Sequence, residues 1–213
     1  MYLHLALAVS SIVIFLFSLL YGRTLYREND GETFSLANHF PFELYKKNND
    51  PIFIGKVLSA LPAIIFFINF VLLAVRDFTV SNAAFAFISL LIAFSYVVIN
   101  IYPLYHLKAH LISALAFITF TSAINIGLAF SEIRIYHIIK EGLYLIPMVI
   151  NILIFLTTFF LLLNRKIFDL SMNKTEEGTT ARPKVFVLAL SEWIASFLFL
   201  LTQISLIFIS FLG

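Results

Sequence analysis

Cysteine is absent from the 213 residues. Disulfide frameworks, thiol nucleophiles and thiolate metal sites are thereby excluded, and cysteine usage says nothing about redox compartment. Charge is scarce as well: only 12% of residues are Asp, Glu, Lys or Arg, against about a quarter in a soluble domain. With 14 basic and 12 acidic residues the chain is near neutral. No basic block is long enough to follow a phosphate backbone, so nucleic acid is not an expected partner. Glycine is limited to seven residues, none set out as a phosphate cradle. A G-x-S-x-G elbow and an H-E-x-x-H motif are also missing.

What the chain has in abundance is apolar sequence, 61% of residues, with 25 Phe. A bilayer core of about 30 Å requires roughly 20 apolar residues per helix. Runs of that length free of Lys, Arg, Asp and Glu, apart from Glu192 in the last, predict six spans at about 1–21, 57–75, 80–102, 109–131, 142–164 and 185–212. The first lacks the positive start of a secretory signal and outruns the apolar stretch of one, so it reads as an uncleaved membrane helix. Continuous rather than alternating hydrophobicity selects helices over barrel strands. The expected fold is all-α: one polytopic membrane domain over 1–213, a single six-helix bundle.

Two connections are long enough for chemistry or partner contact, 22–56 and 165–184. The first mixes five basic and five acidic residues with Asn38, His39, Phe40, Pro41, Phe42 and an Asn48-Asn49-Asp50-Pro51 turn. Turn residues beside aromatic anchors predict an ordered cap. The end carrying the first, third and fifth connections holds 11 basic residues, against Arg76, Arg134 and Lys140 at the other. By the positive-inside rule the long loops face the cytoplasm. The acceptor tripeptide Asn173-Lys174-Thr175 points weakly the other way.

Within the predicted spans the ionisable residues reduce to His4, His110 and Glu192. A carboxylate in hydrocarbon must be neutral, paired or facing a polar cavity, which makes Glu192 a candidate catalytic or binding group. The alternative is that Trp193 marks the headgroup level and Glu192 reaches the interface. His106 and His110, one turn apart, are a weak pair of metal candidates that would need a third ligand from His39, His137 or Glu192. Asn69, Asn100, Asn125, Asn151 and Gln203 fall one per span in the second to sixth, suited to interhelical hydrogen bonds or, alternatively, a polar conduit. Pro62 and Pro147 are expected to kink their spans. No internal repeat is visible. Ala116, Thr119, Ala123 and Gly127 form a small-residue stripe for helix packing.

Several segments resemble the six-span FRAG/DRAM/SFK proteins. They are Ala189-Leu190-Ser191-Glu192-Trp193 with Phe197, Phe199 and Leu200; Asp77-Phe78-Thr79-Val80 with Ala84-Phe85; Phe40-Pro41-Phe42-Glu43 followed by Leu58-Ser59-Ala60 and Pro62; and His110 with Ala114, Ala116 and Phe117. That family includes autophagy modulators, GPI-anchor lipid-remodelling factors and regulators of lipid asymmetry. The first loop departs from it in lacking a serine-aspartate-glycine continuation after its proline. The resemblance implies cytosolic termini and a lumenal or external first loop, opposite to the basic-residue count.

The expected function is therefore a non-catalytic modulator of lipid organisation, trafficking or autophagy, in an endomembrane (Golgi or lysosome) or the plasma membrane. Its expected partners are membrane lipids and another membrane protein, bound through Glu192, Trp193, Phe40, Pro41 and Asn38, with no cofactor. A lipid-remodelling enzyme or subunit using Glu192 or His110 as acid or base is the alternative. A small transporter or channel component using Glu192 and the span asparagines is the third reading.

Overall fold

The computed structural model describes residues 2–27, 34–37, 39–47, 50–51, 53–101, 107–140, 142–169, 173–174, 180–181 and 184–212. Six long helices dominate it: α1 (Tyr2–Arg27), α2 (Phe53–Arg76), α3 (Val80–Ile101), α4 (Leu107–Ile139), α5 (Leu145–Leu163) and α6 (Val187–Leu212). All six are long and apolar enough to cross a membrane. The chain is an all-α six-helix bundle and, on that architecture, an integral membrane protein. Four two-residue strands pair as two antiparallel ladders, β1 (Lys46–Lys47) with β2 (Asp50–Pro51) and β3 (Asn173–Lys174) with β4 (Thr180–Ala181).

Each helix packs on the next in sequence, α6 closes the ring against α1, and α4 reaches across to α6. Short connections make successive helices antiparallel neighbours. The first, third and fifth connections therefore share one end, called the cap end below. At mid-height the core is aromatic. Phe66 and Phe199 stand 4.9 Å apart, as do Tyr96 and Phe117, and Phe117 meets Phe199 at 5.8 Å. Large side chains such as Phe87, Phe94, Ile112, Phe130 and Phe160 point outward on the spans. Lipid tails, rather than water, are the surroundings that suit them.

The helices overrun the charge-free runs at several ends. α1 continues through Arg23 to Arg27, α2 takes in Lys56, and α4 runs eight residues past Ser131 to Ile139. A scan that stops at the first charge marks where hydrocarbon should end, whereas the backbone ladder continues into the interface. The overrun of α4 corrects the inventory of ionisable residues, because it brings Glu132 into the bundle, where it is buried.

Candidate functional site

The site begins with the first loop. Phe40 is followed by a 3-10 turn, Pro41–Tyr45, all of it buried. Pro41 suits the first position of such a turn because its ring presets φ and its missing N–H would have had no partner. Glu43 reaches back so that its Oε2 accepts from the Phe40 N–H at 2.8 Å, the closure that a capping carboxylate provides from the third position of a helix. The loop is tied down at several points. The Phe186 N–H donates to Ala37 O at 2.7 Å, and the Trp193 indole donates to His39 O at 2.8 Å. The Tyr45 hydroxyl donates to Ser18 Oγ at 3.1 Å. Burial pushes the Tyr45 hydroxyl up to about 12, against the opposing effect of its Ser18 hydrogen bond.

Under this cap lies an acid–imidazole pair. His110 Nε2 of α4 and Glu192 Oε1 of α6 stand 2.8 Å apart, with side chains 0% and 2% exposed. Phe40 and Phe42 set their rings edge-on to the imidazole at 4.9 and 5.2 Å, and Phe186 packs on Phe40 at 5.2 Å. Glu43 is buried in the cap and lies within electrostatic reach of Glu192. The loop acid, the helix acid and the imidazole thus share one desolvated compartment.

Buried polar groups from other helices gather at the same end. Ser59 of α2 donates to Asn100 Oδ1 of α3 at 3.1 Å, while Asn100 Nδ2 donates to Tyr96 O at 2.8 Å. The Tyr96 hydroxyl interacts with Ser196, and Ser196 Oγ donates to Glu192 O one turn below. Five of the six helices and the cap contribute to this polar compartment, with α5 standing outside it. An aromatic file flanks it. Tyr26 meets Phe34 at 4.9 Å, Phe34 stacks with His39 at 5.1 Å, and Phe34 meets Trp193 at 5.8 Å.

Several sequence expectations resolve here. Glu192 is turned inward and sealed, so it does not reach the interface, and Trp193 is held by the cap in place of facing headgroups. Phe40, Pro41 and Trp193 all point into the bundle. His39 lies beside Tyr26, its Nε2 3.2 Å from the Tyr26 hydroxyl, and His137 is exposed at the far end of α4. Among the described residues no three His, Cys, Asp or Glu side chains converge as a metal site would require. His106 and Asn38 lie outside the described residues.

In the small-residue stripe, Gly127 packs so closely on Phe85 that an added Cβ would fall 2.7 Å from the ring. Ala116 and Ala123 are half-buried, while Thr119 is exposed and bonds back to Leu115 O. The span asparagines find interhelical partners: Asn69 with His4, Asn100 with Ser59, Asn125 with Thr202, and Asn151 with Glu132 and Ser205. Gln203 is buried with neither amide atom hydrogen-bonded among the described residues.

Sequence reasoning missed Glu43, Tyr96 and Ser196 as members of the site. Only Glu43 carried a signal, the Pro-x-Glu spacing that opens a helical turn. Comparison of this chain with protein-family models, with characterised proteins and with solved structures returns no match.

Proposed function

We propose that this membrane protein modulates lipid organisation through contacts with lipids and a membrane partner, without catalysis of its own, and that the His110–Glu192 pair locks the first loop onto the bundle. The seal over that pair carries the reading. Each group occupies the other at 2.8 Å, and two phenylalanine rings lie edge-on to the imidazole, with Phe186 packed behind Phe40. A general acid or base has to come within hydrogen-bond reach of the proton it moves, and a lock does not. The apolar outer surface and the resemblance to lipid-asymmetry and trafficking factors support the same reading, in an endomembrane or the plasma membrane.

The test uses the purified chain in liposomes carrying a fluorescent phospholipid. Quenching from outside reads leaflet distribution, and mass spectrometry reads lipid products. The proposal expects an altered distribution or lipid packing with no new product. A product that appears with the wild-type chain and is lost in both Glu192→Gln and His110→Ala, at equal protein amount, overturns it.

A second reading has one specific observation in its favour. A carboxylate in contact with an imidazole is the arrangement that orients a base in nucleophilic and acid–base catalysis. On that reading the cap must open for a lipid ester to reach His110, and the product assay above decides between the two.

A further inference from the structure

The opposite end of the same helix pair holds a second buried carboxylate. Glu132 of α4 is 1% exposed, and its Oε1 accepts from Asn151 Nδ2 of α5 at 2.7 Å. The same amide nitrogen donates to Ser205 Oγ of α6 at 2.8 Å. Both amide hydrogens are thereby used. Glu132 Oε2 and Asn151 Oδ1, equally buried, have no hydrogen-bond partner among the described residues. Asn125, two turns from Glu132 on α4, and Thr202, less than one turn from Ser205 on α6, are linked at 2.9 and 3.1 Å further into the bundle.

Charge decides what this arrangement lacks. No basic side chain pairs with Glu132 among the described residues. Arg134, two positions on, is exposed, as are His137 and Lys140. A buried carboxylate without a counter-charge is strongly disfavoured. One positive charge cancels it, whereas a divalent ion would leave a net buried positive charge. The donors are carboxylate, amide and hydroxyl oxygens, which suit hard cations and not the metals that prefer thiolate or imidazole. The aromatic core at mid-height separates this end from the capped pair, so the inference does not rest on the reading given above.

We infer that Glu132, Asn151 and Ser205 bind a monovalent alkali cation of about sodium size, with Glu132 Oε2 and Asn151 Oδ1 supplying the lone pairs left open by the helix contacts. Occupancy would join α4, α5 and α6 through one ion.

The experiment is thermal unfolding of the detergent-solubilised full chain in sodium, lithium, potassium or choline chloride at equal ionic strength, with the whole series repeated at two pH values. The expected result is a saturable, cation-selective rise in Tm of about 3 °C or more over choline. Glu132→Gln removes that rise, and Ser205→Ala shifts its midpoint about tenfold towards higher cation concentration. Identical curves in all four salts, or a sodium increment that survives Glu132→Gln, overturn the site. An increment that follows pH and ignores the cation also overturns it, because a proton then supplies the charge. Should Glu132→Gln fail to fold, binding of radioactive sodium to the wild-type chain decides: binding displaced by unlabelled sodium and weakened in Ser205→Ala supports the site, and absence of displaceable binding ends it.

Discussion

The indole of Trp193, near the start of α6, donates its N–H to the main-chain oxygen of His39 at 2.8 Å, joining the last helix to the first loop across most of the sequence. Trp193 also meets Phe34 and stacks with Phe197 at 5.9 Å. Replacing it with Phe keeps most of the ring contact and removes the donor. Trp193→Phe is expected to destabilise the cap by about 1 to 2 kcal/mol, the cost of leaving a buried acceptor unpaired. Faster amide exchange confined to residues 34–45 would register the loss, and unchanged exchange there would refute the tie.

The His110–Glu192 pair makes a sharper forecast. Removing one member strands the other in a dry compartment, at about 3 to 5 kcal/mol, whereas replacing both with apolar residues of similar volume recovers much of the loss. Glu192→Gln and His110→Ala should each lower the Tm in detergent, and the double variant Glu192→Met/His110→Leu should be more stable than His110→Ala alone. A double-mutant cycle on the pair measures the coupling directly, and additive losses would mean that the two groups do not act on one another.

Tyr45 gives the pH dependence. Its folded-state value of about 12 lies above the roughly 10 of an exposed tyrosine. The folded chain therefore keeps this proton where the unfolded chain has lost it. The stability it contributes is complete below pH ~10 and declines as pH rises from about 10 to about 12. Tyr45→Phe should flatten this part of the Tm profile. In ultraviolet titration, the difference between wild type and Tyr45→Phe should contain one phenol that ionises late.

Two glycines register how tightly the cap sits. A Cβ on Gly22 would fall 2.6 Å from Leu44 Cγ, and one on Gly55 would fall 2.7 Å from Tyr45 Cδ1. Gly22→Ala and Gly55→Ala should each cost about 1 to 3 kcal/mol by overpacking, partly offset by the better helix propensity of alanine. Gly142, with no neighbour within 4 Å of an added Cβ, is the control, and Gly142→Ala should leave the Tm unchanged or slightly raised.

The six helices were legible because membrane solvation imposes one simple condition, a long apolar run, and the sequence satisfies it six times. Glu192 and His110 were each legible as exceptions to that condition. Their pairing was not, since it depends on α4 and α6 meeting across the ring, a contact between segments 82 positions apart that no local pattern encodes. Asn69 and His4 tell the same story: both stand out singly, and only the α1–α2 contact puts His4 Nδ1 2.6 Å from Asn69 Oδ1. Glu132 escaped for a different reason. It sits one residue past a charge-free run, where a scan for hydrocarbon ends, although the helix and its burial go on. Tyr96 and Ser196 carry no pattern that distinguishes them from ordinary residues of a span.

Along α4, His110 and Glu132 are separated by about 33 Å of helical rise, close to the roughly 30 Å of hydrocarbon in a bilayer. A bilayer whose hydrocarbon matched that rise would set the two buried ionisable clusters towards its opposite sides, with the aromatic core between them. In an energised membrane most of the voltage drop lies between those sides. A unit charge gained at one cluster and not the other is then weighted by about 2.3 kcal/mol for each 100 mV. The long fourth helix thus gives the bundle an electrical polarity, whichever way round it is inserted.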